Sequence, residues 1–269
     1  MTGNVLDFNT LPDDIKQFLE IEDVSGFQED RYLFSKREMK LFDSIIQADK
    51  LSSRFKEKGV RYLNATMLYG QSGTGKTTLG RYVAYKLNLP FAYLNFAKIT
   101  SSDFGGTSRN IARVFSCVSG KRCVLMLDEI DCISRKRVAV SGESQSNENT
   151  RVTITLMQEL DKIKSDTIII GATNIPETLD PALRRRFTNY HEVKGLDSDE
   201  MTTFCCRYLD SMDIQYDEKQ VSTFCKNNIR ISQALIINDL NRCIADYWVA
   251  LDNGQDKPFF LEHVEDGRK

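Results

Sequence analysis

The chain has 269 residues, of which 41% are hydrophobic and 28% are charged, so it can bury a sizeable core and is not wholly disordered. Its formal net charge of -2 gives no global field that would attract nucleic acid or an anionic membrane. We find no basic leader with an apolar core, and no apolar run near the ~18 residues that a membrane span needs. We therefore expect a cytoplasmic protein in a reducing compartment, and its seven cysteines, an odd number without a CxxC pair, agree with that expectation.

The pattern along the chain predicts four segments. Residues 1–23 form a short acidic arm that either packs as an appendage or stays mobile. Residues 24–195 alternate short apolar strands with amphipathic helices, which predicts an α/β domain whose parallel sheet is covered on both faces. Within it, the polar stretch 141–149 is expected to be a loop, and 191–194 the last strand. Residues 196–255 repeat apolar side chains at helical spacing, with Ser198 as the expected N-cap, and predict a small helical domain followed by a tail, 256–269.

The stretch "GQSGTGKTT" fits the pattern G-x-x-x-x-G-K-[ST] between a predicted strand and a predicted helix. Small residues let backbone N–H groups wrap a triphosphate closely, and the positive end of the following helix faces the phosphates. The lysine neutralises the β- and γ-phosphates, and the Thr77 hydroxyl ligates Mg²⁺. This loop predicts ATP and Mg²⁺ as cofactors, with the following nucleotide-binding residues: Gly70, Gln71, Ser72, Gly73, Thr74, Gly75, Lys76, Thr77 and Thr78.

Two further strand ends carry polar residues. The apolar run "VLML" ends in Asp128, which we expect to hold the Mg²⁺ shell, and Glu129, which we expect to polarise the attacking water. The run "TIIIGATN" ends in Asn174, which can hydrogen-bond the lytic water or the γ-phosphate. Each feature has a structural alternative, an acidic turn in the first case and a turn-forming asparagine before Ile175-Pro176 in the second.

The stretch "LRRRF" places three guanidinium groups, Arg184 to Arg186, side by side. Adjacent like charges repel unless they meet an anion. We therefore expect an arginine finger that is given to the ATP of a neighbouring subunit, with a solvated basic turn as the alternative.

Together, "GQSGTGKTT", "VLMLDEID", "GATN" and "LDPALRRRF" resemble, in order and spacing, an AAA+ ATPase, and more narrowly the AAA subfamily of hexameric protein-remodelling ATPases. The triplet "RRRF" is most similar to the microtubule-severing and ESCRT-disassembly enzymes. The resemblance spans residues 21–250. It implies a P-loop NTPase fold with a five-stranded parallel sheet of order 5-1-4-3-2 and a helical lid, with ATP bound at a subunit boundary. It also makes Arg185 and Arg186 the best finger candidates.

The resemblance extends to three other stretches. "EDVSGF" resembles the segment that borders the adenine, which implicates Asp23 and Gly26. "SDFGGTS" resembles the loop that lines the central pore of hexamers, so Phe104 would take the position of the aromatic residue that grips a polypeptide. "RISQALI" resembles the start of the family's lid helix, while "NNIRISQAL" also resembles the arginine-bearing sensor of initiator and clamp-loader ATPases, in which case Arg230 would bind the γ-phosphate.

We therefore expect a Mg²⁺-dependent ATPase that assembles as a homo-hexamer and remodels or threads an unidentified protein partner. In this scheme the catalytic residues are Lys76, Glu129, Asn174, Arg185 and Arg186, and the metal residues are Thr77 and Asp128. The alternative is a nucleic-acid-associated switch of the replication or transposition type, which the net charge and the Phe104 loop disfavour. A scaffold or adaptor that binds ATP and hardly hydrolyses it is a third possibility, which the complete catalytic set disfavours.

Overall fold

The structure, a computed structural model, describes residues 5–100, 106–133, 143–228 and 232–263. The chain divides into two compact units, and each is described by itself. The first contains the described residues of Met1–Phe27, Met39–Gly70 and Lys76–Val193, and the second those of Gln28–Glu38, Gln71–Gly75 and Lys194–Lys269. No helix in the described part of the chain is long and apolar enough to cross a bilayer. The four-segment boundaries drawn from the sequence remain a prediction.

A six-stranded sheet of order β1-β3-β4-β5-β2-β6 forms the centre of the first unit. Its strands are β1 Leu19–Glu22, β2 Ala65–Tyr69, β3 Phe91–Asn95, β4 Cys123–Asp128, β5 Thr167–Thr173 and β6 Asn189–Glu192. Strands β2 to β6 are parallel, and their order is the predicted 5-1-4-3-2. The α/β class is confirmed, but the predicted strand count is one too low because β1 pairs antiparallel with β3 at the sheet edge.

Helices cover the sheet because their apolar positions recur at helical spacing. In α5, Gly106–Val118, the buried face consists of Ile111, Val114, Phe115 and Val118. In α6, Glu143–Lys162, it consists of Val152, Leu156 and Leu160, and Ile163 is buried just past the end of the helix. The helices up to residue 193 are α1 Asp13–Lys16, α2 Lys36–Glu57, α3 Lys76–Leu87, α4 Phe96–Thr100, α5 Gly106–Val118, α6 Glu143–Lys162 and α7 Pro181–Arg184.

The loop expected at 141–149 is partly wrong, because α6 already begins at Glu143. The segment has no apolar periodicity of its own, which is why its sequence indicated a loop. Helix formation is cooperative, however, and adding a residue to an existing helix costs much less than starting one. The amphipathic turns that follow can therefore extend towards the N-terminus through polar residues.

The acidic N-terminal segment packs into the first unit from residue 6 onward. Four of its apolar side chains enter the same core as the sheet: Leu6, Leu11, Ile15 and Leu19. Its acidic side chains meet basic partners on that unit, in the pairs Arg113–Asp14, Lys98–Glu20 and Arg81–Glu22. Of the two possibilities left open by the sequence, packing is the one that the structure supports.

The second unit is helical, with α8 Ser198–Asp210, α9 Glu218–Asn227 and α10 Gln233–Asp252. The N-cap of α8 is Asp197 rather than the expected Ser198, and it forms a capping box with Glu200. Apolar side chains of the three helices make the core of this unit. Phe259 and Leu261, beyond α10, are buried in that core as well.

Candidate functional site: a glycine-rich loop at the carboxyl ends of the strands

The predicted phosphate loop joins β2 to α3, which begins at Lys76. Gly70 has φ = 146°, and a Cβ placed there would lie 2.3 Å from the carbonyl oxygen of Val193, so only glycine fits. The Thr74 hydroxyl donates to the Gln71 carbonyl oxygen at 2.9 Å, which closes the loop on itself. The first N–H groups of α3 have no acceptor within the helix. A glycine loop that leads into a helix N-terminus is suited to bind an anion.

The side chain of Lys76 is directed across the strand ends by two hydrogen bonds. Its Nζ donates to the carbonyl oxygen of Gly70 at 2.9 Å and to Oδ1 of Asn174 at 2.7 Å. Burial lowers the pKa of Lys76, while the nearby carboxylates of Asp128 and Asp131 oppose that shift. Two residues 98 positions apart, each predicted from its own motif, therefore meet at one point.

The predicted metal residues also lie together. The Thr77 hydroxyl donates to Oδ2 of Asp128 at 3.0 Å, and the backbone N–H of Glu129 donates to Oδ1 of Asp128 at 2.9 Å. Hydroxyl and carboxylate oxygens are the ligands that Mg²⁺ prefers, so these two side chains fit that ion.

Glu129 has a left-handed backbone, with φ = 55° and ψ = 41°. A non-glycine residue in this region is strained by roughly 1–3 kcal/mol, and such strain concentrates at functional sites. The turn sets the direction in which the Glu129 side chain leaves the end of β4. Glu129 is half-buried, and Asn174, at the end of β5, is exposed.

Two polar residues that the sequence analysis did not assign extend this cluster. The hydroxyl of Tyr93 on β3 lies 3.1 Å from Oδ2 of Asp128, and Thr173 donates to Asp131 at 2.7 Å. Burial, followed by the charge of Asp128, raises the pKa of Tyr93 to about 12, so its hydroxyl is protonated at neutral pH and acts as the donor. The signal that could have found Tyr93 is its place two residues before Asn95, on the same face of a strand next to β4.

Within the second unit, Gly73 of the loop contacts the start of α10. The Ala234 N–H donates to the Gly73 carbonyl oxygen at 3.4 Å, and a Cβ placed on Gly73, whose φ is 78°, would lie 2.8 Å from Oγ of Ser232. These contacts explain the glycine at position 73 without any ligand. The alternative sensor residue, Arg230, lies outside the described residues, so its role stays open.

The residues assigned to the adenine border lie in a turn after β1. Oδ1 of Asp23 accepts the Ser25 N–H at 2.9 Å, and that backbone hydrogen bond is the main cause that lowers the pKa of Asp23. A Cβ on Gly26 would meet no atom within 4 Å, so the described fold does not itself require glycine there. The assignment of both residues to the base stays a prediction. Phe104, the predicted pore residue, lies outside the described residues.

The three adjacent arginines have different surroundings. The Arg184 guanidinium lies over the Tyr190 ring, 3.9 Å from its centroid. Arg186 pairs with Asp161, with Nη2–Oδ2 at 2.8 Å, and donates to the Ala182 carbonyl oxygen at 2.7 Å. Arg185 is exposed and makes no side-chain hydrogen bond or ion pair within the described ranges.

The sheet is mostly parallel, with a glycine-rich loop after one strand, a lysine that begins the next helix and an acidic pair at the end of another strand. This combination defines a P-loop NTPase domain. Residues 66–194 match the model of the family described as "ATPase family associated with various cellular activities (AAA)". This stretch, just under half of the chain, is therefore similar to that family.

Three relatives illustrate the similarity. The chain is 32% identical over 178 residues to a cell division cycle protein 48 homolog from Archaeoglobus fulgidus, a match covering 64% of this chain and 23% of the relative. It is 32% identical to a proteasome-activating nucleotidase from Methanococcus maripaludis, with 65% and 44% covered. It is 34% identical to the ATP-dependent zinc metalloprotease FtsH from Thermus thermophilus, with 61% and 25% covered. The matches therefore span less than half of each of these relatives.

Proposed function

We propose that this chain hydrolyses ATP in a Mg²⁺-dependent reaction, as the motor of a ring-forming AAA ATPase that remodels or threads a protein partner. One observation carries the proposal. The Lys76–Asn174 and Thr77–Asp128 hydrogen bonds, at 2.7 and 3.0 Å, join three separate sequence motifs at the carboxyl ends of β2, β4 and β5. Ligands of open parallel sheets bind at these strand ends.

Each residue then has a defined task. Lys76 breaks its hydrogen bond with Asn174 and contacts the β- and γ-phosphates. Thr77 and Asp128 are the residues that would hold Mg²⁺. The ion, when bound, neutralises charge that develops on the phosphate oxygens. Glu129 accepts a proton from the attacking water. Nδ2 is the only donor of the Asn174 side chain, so it is the group that donates to the water or to the γ-phosphate.

In the proposed ring, an arginine of the neighbouring chain supplies the remaining positive charge at the nucleotide. Arg185 is the arginine best placed to act as the finger, because its guanidinium is exposed and makes no ion pair in the described part of the chain. To act as a finger, Arg186 has to break its ion pair with Asp161 and bind a phosphate instead. Otherwise it positions α7 while Arg185 reaches the neighbouring nucleotide. Either way, the finger acts in trans, so hydrolysis requires contact between chains.

A protein partner is favoured by the names of the relatives. One is described as proteasome-activating and another as an ATP-dependent metalloprotease, and both descriptions concern the breakdown of proteins. A hexameric ring, a cytoplasmic location and polypeptide contact by Phe104 remain parts of the proposal. The nucleic-acid-associated alternative gains no support from the described contacts.

The proposal is tested with Glu129→Gln, a change that keeps side-chain volume and removes the base. We expect ATP binding to stay near the wild-type level while hydrolysis falls by about 100-fold or more. Binding is followed by equilibrium titration with a fluorescent ATP analogue, and hydrolysis by phosphate release. Glu57→Gln, the same change at an exposed position near the end of α2, is the matched control and should hydrolyse ATP normally. Near-normal turnover in Glu129→Gln would remove Glu129 as the base.

A further inference from the structure

Tyr93 lies beside Asp128, one of the two predicted metal residues, although no motif includes it. It stands on β3, two residues before Asn95, which is in register with Asp128 on β4. Residues two apart on a strand face the same way, so both polar side chains lie on the Asp128 side of the sheet. The amide Nδ2 of Asn95 lies 3.4 Å from the Tyr93 hydroxyl, which in turn lies 3.1 Å from Oδ2 of Asp128.

The direction of these hydrogen bonds follows from the chemistry of the groups. An amide nitrogen only donates, and an ionised carboxylate only accepts. The Tyr93 hydroxyl therefore accepts from Asn95 and donates to Asp128. A phenol that accepts one hydrogen bond is a stronger donor in the next, since such chains polarise one another.

The Asp128 carboxylate is held by three donors. Oδ1 accepts the Glu129 N–H, while Oδ2 accepts both the Thr77 hydroxyl and the Tyr93 hydroxyl. The Thr77 hydroxyl donates its hydrogen bond to Asp128, so its oxygen keeps lone pairs for a metal. The Tyr93 hydroxyl accepts from Asn95 and donates its proton to Asp128, so it is placed to orient the carboxylate.

We propose that Tyr93 is a positioning residue for Mg²⁺: it fixes the rotation of the Asp128 carboxylate so that the ion and its water shell meet an already oriented acceptor. The inference rests on the Mg²⁺-dependent function proposed above. Hydrogen bonds to a metal-side carboxylate act on metal affinity, and their loss typically costs about 10- to 100-fold in metal affinity or activity.

The competing explanation is that Tyr93 serves only to pack the edge of the sheet. Its ring lies 6.3 Å from the Phe91 ring, measured between centroids, and its side chain is half-buried. Tyr93→Phe keeps that ring and removes one oxygen atom, so it separates the two explanations. Tyr247→Phe, on α10 in the other unit, is the matched control for loss of a tyrosine hydroxyl.

The experiment measures binding rather than turnover, with Glu129→Gln as the parent so that ATP is not consumed. A fluorescent ATP analogue is titrated in EDTA and then at increasing free Mg²⁺. We expect Tyr93→Phe to match the parent in EDTA and in thermal stability, but to need about 10-fold more Mg²⁺ for half of the metal-dependent gain in affinity. Tyr247→Phe should follow the parent throughout.

The other outcomes contradict the proposal in distinguishable ways. An unchanged Mg²⁺ midpoint in Tyr93→Phe overturns the role of Tyr93 and leaves the ATPase proposal standing. Weaker ATP binding in EDTA, or a large loss of thermal stability, assigns the hydroxyl to the fold instead of the metal. A parent whose ATP affinity does not respond to Mg²⁺ at all contradicts the metal-dependent function itself.

Discussion

Arg184, Arg185 and Arg186 are the same amino acid at adjacent positions, yet their side chains have three different environments. Arg184 stacks on Tyr190, and Arg186 is held by Asp161. Arg185 extends from the end of α7 without an ion pair in the described part of the chain. Repulsion among the three charges is relieved by a ring face in one case and a carboxylate in another. The third, Arg185, has no such partner among the described residues.

This division predicts different losses for the three alanine variants. Arg185→Ala should lower ATP hydrolysis by at least about 100-fold, since a finger stabilises charge in the transition state, and should leave unfolding unchanged. Phosphate release and urea unfolding are measured on the same samples. Arg184→Ala is the control for removing one positive charge from this turn, and its turnover should stay close to that of the wild type.

The Arg186→Ala variant, by contrast, should have a lower free energy of unfolding. The side chains of Arg186 and Asp161 are 29% and 48% exposed, so solvent screens the pair, and the expected loss is only about 1 kcal/mol. If Arg185→Ala hydrolysed ATP normally while Arg184→Ala did not, the finger would have to be reassigned to Arg184.

At the scale of elements, β1 is the part that the sequence did not reveal. The strand has only four residues, and only Leu19 among them is fully buried. A single buried position cannot show a period of two, and the neighbouring acids carry no strand signal. Two of these acids pair with basic side chains that lie 59 and 78 residues further along the chain, which no local pattern reveals.

We predict that Leu19→Ala lowers the free energy of unfolding by about 2–5 kcal/mol, the usual cost of removing a buried leucine side chain. Leu19 is 0% exposed, whereas Leu51 on α2 is 41% exposed, so Leu51→Ala is the matched control and should cost less than about 0.5 kcal/mol. Urea unfolding followed by circular dichroism measures both variants. Equal losses would mean that the acidic segment does not pack as described.

The candidate site was predictable to the extent that chemistry is local in the sequence. The phosphate loop and the acidic pair each lie within a few consecutive residues, so their motifs could be identified before any fold was known. The hydrogen bonds from Tyr93 to Asp128 and from Thr173 to Asp131 join different elements. Such contacts depend on the register between neighbouring strands, which a single sequence does not specify.

At the scale of the whole molecule, the proposed ring gives the arginines their role in hydrolysis. In a head-to-tail ring each chain offers one nucleotide site and one finger, and each boundary combines the two from different chains. A chain with a defective finger still carries an intact nucleotide site. A chain with a defective base still binds ATP and still offers its Arg185.

The most direct test of the account is therefore ATP turnover in mixtures of Arg185→Ala and Glu129→Gln proteins, each nearly inactive alone. We predict that mixing restores turnover, with a maximum near equal amounts, where about one boundary in four of a randomly mixed ring pairs an intact site with an intact finger. Mixtures that form rings by sizing and yet remain as inactive as the separate variants at every ratio would contradict it.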